Sequence, residues 1–333
     1  MLLLFLLVGR CRTVVGPSEY IVTGATMGTT YTVKLGEAIA GERLAAIARA
    51  VDALLFDMNR VFSTYLEDSE LSRFNRSDGA VPFPLSDDLL RVFEVALDVS
   101  RQTNGAFDVT VGPLVNAWGF GPDRPETPPS AEEVATLRER IGFEKLHLED
   151  GALSKSRPDV YCDLSAVAKG YAVDRVAALL EAQGLRRFMV EIGGEVRTRG
   201  ARGDGRPWHI AVEEPIPETR AVRRVVPLGD MAMATSGDYR NFVERDGRRY
   251  SHTINPRTGA PVQHALASVT VLHPECAWAD AYATGIHVLG SDEGFDFAEA
   301  RGLAVLLIFH GPDGGFEERA TAEFEAICAA AMP

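Results

Sequence analysis

The chain has 333 residues, 46% of them apolar and 24% charged, enough to enclose a sizeable core in globular proportions. A net charge of −13 with no basic stripe excludes a general nucleic-acid binder, because nothing would track a phosphate backbone. The four cysteines, Cys11, Cys162, Cys276 and Cys328, form no C-x-x-C pair and argue against a disulfide-built fold or a cysteine zinc site.

The chain opens with "MLLLFLLVGRC", an apolar run shorter than the roughly twenty residues of a membrane span but as long as a secretory h-region. It has no basic segment before it. Residues 1–18 are nonetheless expected to be a leader and 19–333 the working domain, exported to the periplasmic side of a bacterial inner membrane, with a cytoplasmic location as the alternative. Cys11 stands where a lipid-anchored cysteine could stand, although Arg10 replaces the small residue expected before it.

Beyond the leader, "YTVKL" (31–35) predicts a strand, and 43–62 predicts a helix with apolar residues three and four apart. A second helix is expected over 86–105, with Ser86 as N-cap, and a short one after the Pro-rich loop, capped by Ser130. "DLSAVAKGYAVDRVAALL" (163–180) reads as an amphipathic helix, with Ala168, Ala172, Val176 and Leu180 on one face. Its front is odd: Asp163, Ser165, Lys169 and Gly170 are polar or small where a core would use Leu. Gly193-Gly194 predicts a tight hairpin, followed by strands at 208–215, 223–229, 231–237, 248–254 and 267–273. Helices at 276–290 and 292–301 and a buried strand at 303–311 complete the series. Helices followed by runs of strands predict an α+β fold rather than a doubly wound parallel sheet.

Several stretches hold more small and polar residues than packing explains. "GATMGTTY" (24–31) is a glycine-bracketed turn. In "VFSTYLEDSELSRFN" (61–75), Tyr65 could stack on a planar ring. "NGAFDVTVGPLVNAWGFGP" (104–122) carries glycines that allow close backbone approach, but the chain has no G-x-G-x-x-G of the Rossmann kind. Asp280 and Thr284 lie four apart on a predicted helix, which puts a carboxylate and a hydroxyl on one face. Hard oxygen donors of this type suit Mg²⁺ that shares substrate phosphate oxygens. In "YSHTINPRTGAPV", a turn begins at Asn255-Pro256 and leaves His252 at a strand end.

The order of these blocks is more telling than any one of them. "TMGTTY", "FSTY", "LSRFN", "GAFDVTVGPL", "DLSAVAKGYAVD", "EIGGEV", "TSGDY", "SHTINPRTG" and "ADAYAT" occur in succession from Thr26 to beyond Gly290. Together they resemble the ApbE-like flavin transferases, the FAD:protein FMN transferases. The resemblance implies a two-lobed α+β fold of mixed or antiparallel sheet with FAD in the cleft. It also implies a Mg²⁺-dependent enzyme that splits FAD and attaches FMN to a Ser/Thr hydroxyl of an acceptor protein, releasing AMP. Acceptors would be subunits of membrane or exported redox complexes.

Carried over residue by residue, the resemblance implies FAD contacts from Met27, Tyr65, Ala106, Phe107, Asp108, Asp163, Lys169 and Ile254. The metal would be held by the Ala166 carbonyl, Asp280 and Thr284. Ala283 departs from relatives that carry a second acid there, which predicts a more hydrated metal site. For the acceptor hydroxyl, His252 is the preferred base because neutral imidazole is available near pH 7; Asp280 is the competing choice. Two alternatives share the site: a Mg²⁺-dependent FAD pyrophosphatase and a non-catalytic FAD-binding protein.

Overall fold

The computed structural model describes residues 19–122, 125, 127–216, 221–237, 242–245 and 248–330. The expected leader, with Cys11, lies outside the described residues. The α+β expectation holds. Eight strands form one sheet in the order Tyr20–Thr26, Thr29–Leu35, Phe188–Ile192, Glu195–Arg199, Ala232–Gly237, Leu266–His273, Ala304–His310 and Phe316–Ala320. Every neighbouring pair in it is antiparallel.

Both faces of this sheet are covered, and strand alternation explains how. Val305 and Leu307 face one way, into an apolar cluster with helices Asp87–Gln102 and Cys276–Leu289. Ala304, Leu306 and Ile308 face the other way, under the hairpin Trp208–Glu213/Val222–Leu228 and helix Ala322–Ala330. A third cluster packs helices Gly41–Phe62 and Ala168–Ala182 over Val33, Leu35, Val190 and Ile192. Strands buried on both faces read as unbroken apolar runs, as "AVLLIF" does.

Local signals give most helix ends correctly. The Ser86 hydroxyl accepts the Leu89 N–H at 3.3 Å, and Ser130 forms a reciprocal capping box with Glu133. Gly193 and Gly194 turn with φ of 62° and 108° between strands Phe188–Ile192 and Glu195–Arg199. The "GATMGTTY" stretch is itself a hairpin. Met27 and Gly28 both have positive φ, 48° and 72°, as a two-residue type I′ turn requires.

Two expectations need correction. Helix Ala168–Ala182 begins five residues later than the periodicity suggests, after a turn over 165–167. In that turn the Asp163 carboxylate accepts the Ser165 N–H at 2.8 Å, so the acid organises a turn and leaves the helix to start behind it. The strand expected over 248–254 is two strands, Arg248–Ser251 and Ile254–Asn255, because the Ser251 hydroxyl accepts the Thr253 N–H at 3.1 Å and turns the chain. Gly170, one of the small residues at the front of helix Ala168–Ala182, faces another helix. A Cβ there would lie 2.4 Å from the Cys276 carbonyl oxygen and 2.8 Å from the Asp280 Cβ.

That crossing is pinned a turn further on. Helix Cys276–Leu289 has no side-chain cap of its own from Glu275. Instead Asp174, on the facing helix, accepts the Cys276 N–H at 2.9 Å and the Ala277 N–H at 3.0 Å. Arg197 pairs with the same carboxylate. A carboxylate on two otherwise orphan N–H groups at a helix start satisfies both hydrogen bonding and the macrodipole. The two helices are thus locked in register at the place where Lys169, Gly170 and Asp280 meet.

Candidate active site

The centre of the site is a buried charge cluster at this crossing. Asp280 is 3% exposed, and its Oδ2 accepts the Gly170 N–H at 3.0 Å. An unbroken helix would turn that N–H to the Ala166 carbonyl, so the bond to Asp280 spares the carbonyl of Ala166 its helical donor. Lys169 Nζ lies 3.8 Å from Asp280 Oδ1 and 2.7 Å from Glu195 Oε1. One turn along helix Cys276–Leu289, Thr284 Oγ1 shares a hydrogen bond of 3.0 Å with Ser236 Oγ. The sequence spacing that placed Asp280 and Thr284 on one face is realised.

Burial dominates the electrostatics. It raises the Asp280 and Glu195 carboxyls above their usual range, while the Lys169 ammonium pulls both back down. Burial alone would lower Lys169, but Asp280 and Glu195 outweigh it and hold the ammonium charged. Among the described residues, the cluster holds two acids and one cation.

The remaining expected residues lie in separate packing environments. Met27 packs against the apolar clusters on both sides of the helix crossing, so the strained turn brings its side chain between them. Tyr65 is 66% exposed, with its ring offered to solvent. Ala106 and Phe107 are buried to 1% and 2% exposure. Asp108 accepts the Thr110 N–H and hydroxyl at 2.8 and 2.6 Å and the Phe143 N–H at 2.9 Å. Burial still pushes its carboxyl up to about 6, against those bonds. Here the "GAFD" block stabilises its own loop. Asp163 is tied into its turn beside the same loop, its N–H donating to the Val109 carbonyl at 2.8 Å.

Ile254 is buried with Leu114 and Ile141, where the 104–122 loop meets the 250–261 loop. Trp118 fastens that contact through Nε1 to the Gly259 carbonyl at 2.9 Å. His252 meets Phe120 edge-on at 6.4 Å between ring centroids. It also lies close enough to His287 to add to the burial that drives that imidazole down to about 3. His287 is three residues past Thr284, so His252 sits toward the C-terminal half of the helix that carries Asp280.

Among the described residues, no group of three or more His, Cys, Asp or Glu side chains could hold a metal ion. The donor set is one carboxylate, one hydroxyl and one carbonyl. It fits a hard cation such as Mg²⁺, which keeps waters and completes its shell on substrate phosphate, and does not fit zinc. Ala283 is fully buried in the apolar core, where an acid would need its own interior partner. Two polar residues at the centre were not singled out from the sequence: Glu195 and Ser236. Both lie in quoted blocks, "EIGGEV" and "TSGDY", and the signal for Glu195 was an acid directly after a glycine turn.

Comparison with known proteins settles the family. The ApbE family model matches residues 27–307. This chain belongs to the ApbE family. An FAD:protein FMN transferase of Vibrio cholerae is 46% identical over 311 residues, covering 93% of each chain. One from Haemophilus influenzae is 45% identical over 92% of this chain and 90% of its own. The solved flavin transferase ApbE of Vibrio cholerae superposes with a TM-score of 0.86, covering 92% of this chain and 98% of its own, at 46% identity. The apo flavinyl transferase ApbE of Pseudomonas stutzeri gives 0.84 at 38% identity, over 93% of this chain and 98% of its own. The order of blocks that suggested an ApbE protein thus matches the family's extent.

Proposed function

We propose that this ApbE protein transfers FMN from FAD to a Thr or Ser hydroxyl of an acceptor redox protein, with Mg²⁺ and with release of AMP. The observation that carries the reading is the pairing of the half-buried Lys169 ammonium with the buried Asp280 carboxylate, 3.8 Å apart, in a chain 46% identical to a flavin transferase. FAD would lie over the crossing, flanked by the exposed Tyr65 ring, Met27, the 106–108 backbone and the Ile254 loop. Asp280, Thr284 and the Ala166 carbonyl would hold Mg²⁺, which when bound neutralises pyrophosphate charge. The apolar run ahead of residue 19 supports export, and so an acceptor on the periplasmic side.

In the transfer, the acceptor oxygen forms a bond to the FMN phosphorus while the bond from that phosphorus to the bridging oxygen breaks, and the bridging oxygen leaves on AMP. Phosphoryl transfer of this kind is governed by positioning and charge neutralisation. Lys169 offers its ammonium to the charge that builds on the leaving phosphate. His252, as a neutral imidazole, takes the proton of the attacking hydroxyl.

The test mixes the purified protein with FAD, Mg²⁺ and an acceptor fragment carrying a flavinylation threonine, with and without chelator. A fluorescent acceptor band on a denaturing gel, with stoichiometric AMP, both lost on chelation, is the expected result. AMP and free FMN without the band would mean a pyrophosphatase; FAD binding without AMP would mean a carrier. Replacing His252 by Ala should slow transfer about 10²- to 10⁴-fold while FAD affinity changes little. Equal losses in both would make His252 a binding residue instead.

A further inference from the structure

We propose that Glu195 is a positioning residue that holds the Lys169 ammonium off Asp280 and thereby keeps that carboxylate available to a divalent cation. The proposal rests on the reading of Asp280 as the metal-holding acid. Three observations lead to it. Lys169 Nζ is drawn to Glu195 Oε1, at 2.7 Å, and stands back from Asp280 Oδ1, at 3.8 Å. Glu195 is 3% exposed, yet its Oε2 has no hydrogen-bond partner among the described residues. Leaving a carboxylate oxygen unpaired in the interior is costly, so Glu195 is an expensive residue to keep at this place. Finally, the stem of Lys169 runs past the glycine turn that delivers Glu195: a Cβ on Gly193 would lie 3.3 Å from Lys169 Cδ. The turn therefore places the anchor and its lysine together.

The charge arithmetic explains the purpose. Among the described residues, two carboxyls share one ammonium at the crossing, so a cation that takes one of them leaves the ammonium its other partner. With a neutral side chain at 195, the ammonium keeps only one anionic partner, Asp280. A lysine head on a four-carbon stem swings readily, and it would then compete with the metal for that carboxylate.

The test measures Mn²⁺ binding without FAD at pH 8, from the loss of the free-ion electron paramagnetic resonance signal. Wild type, E195Q, K169M/E195Q and D280A are compared, with circular-dichroism melts to confirm folding. E195Q should bind Mn²⁺ about tenfold more weakly or worse. K169M/E195Q should recover to near wild type, because the competitor for Asp280 is gone. E195D, which keeps the charge, should lie between wild type and E195Q. Unchanged affinity in E195Q, or a double variant as weak as E195Q, would overturn the positioning role. Equal binding by wild type and D280A would overturn the metal reading itself, and the proposal with it; in that case E195Q would also leave binding unchanged.

Discussion

Replacing Asp280 by Ala is expected to remove AMP release from FAD, lowering turnover by at least about 10²- to 10³-fold, the scale of deleting a preorganised charge-stabilising group. The carboxylate is buried to 3% exposure, accepts the Gly170 N–H at 3.0 Å and faces Lys169. Among the described residues, Glu195 is engaged with Lys169 through Oε1 and position 283 is alanine, so neither replaces it. Removing it also strips the Gly170 N–H of its acceptor, so stability must be followed alongside activity. Asp280→Asn separates the two effects, because it keeps an acceptor for Gly170 and loses only the charge. AMP measured by chromatography at saturating FAD and Mg²⁺ decides the matter. Turnover unchanged in Asp280→Asn, with a normal melting temperature, would remove Asp280 from the catalytic machinery.

Gly170→Val should be the most damaging change at the helix crossing. The added Cβ would meet the Cys276 carbonyl oxygen at 2.4 Å, and a backbone atom cannot rotate away as a side chain can. The helices must separate or unwind, at a cost of about 2–3 kcal/mol for the overpacking. For a chain of this length a fall of roughly 3–4 °C in melting temperature is expected on that scale. Activity should fall further than stability, because Lys169 and Asp280 are carried by the two helices forced apart. Gly41→Ala is the control: nothing lies within 4 Å of its would-be Cβ, and little should change. A Gly170→Val protein that melts with wild type would mean that the crossing yields more easily than close packing allows.

The same crossing shows which parts of the molecule could be read from the chain. The carboxylate–hydroxyl pair Asp280/Thr284 was legible because helical periodicity fixes the angular offset of residues four apart, wherever the helix packs. The Gly193-Gly194 turn and the Ser86 and Ser130 caps were legible for a similar reason: each is satisfied within a few residues. The order of motif blocks revealed the family, because each block keeps its own local chemistry and the order is a property of the chain alone.

The start of the helix at Ala168 was not legible, because Asp163 and Ser165 are as compatible with a first turn as with the separate turn they form. Nor was the use of Gly170, whose spacing allows either ligand or helix beside it. Only packing against Cys276, more than a hundred residues on, decides between them. Glu195 is the sharpest case. By alternation it is one more residue of a strand, yet the sheet and the crossing bring it to 2.7 Å from Lys169 and make it part of the charge cluster. The sequence by itself determined the longer helices, several of the strands, the shared face of Asp280 and Thr284, and the family, but not helices Glu70–Arg76, Gly112–Ala117 and Ala322–Ala330. The tertiary structure alone decided which faces meet, and with them which charges share one buried space, because those contacts depend on the packing of segments that no local periodicity couples.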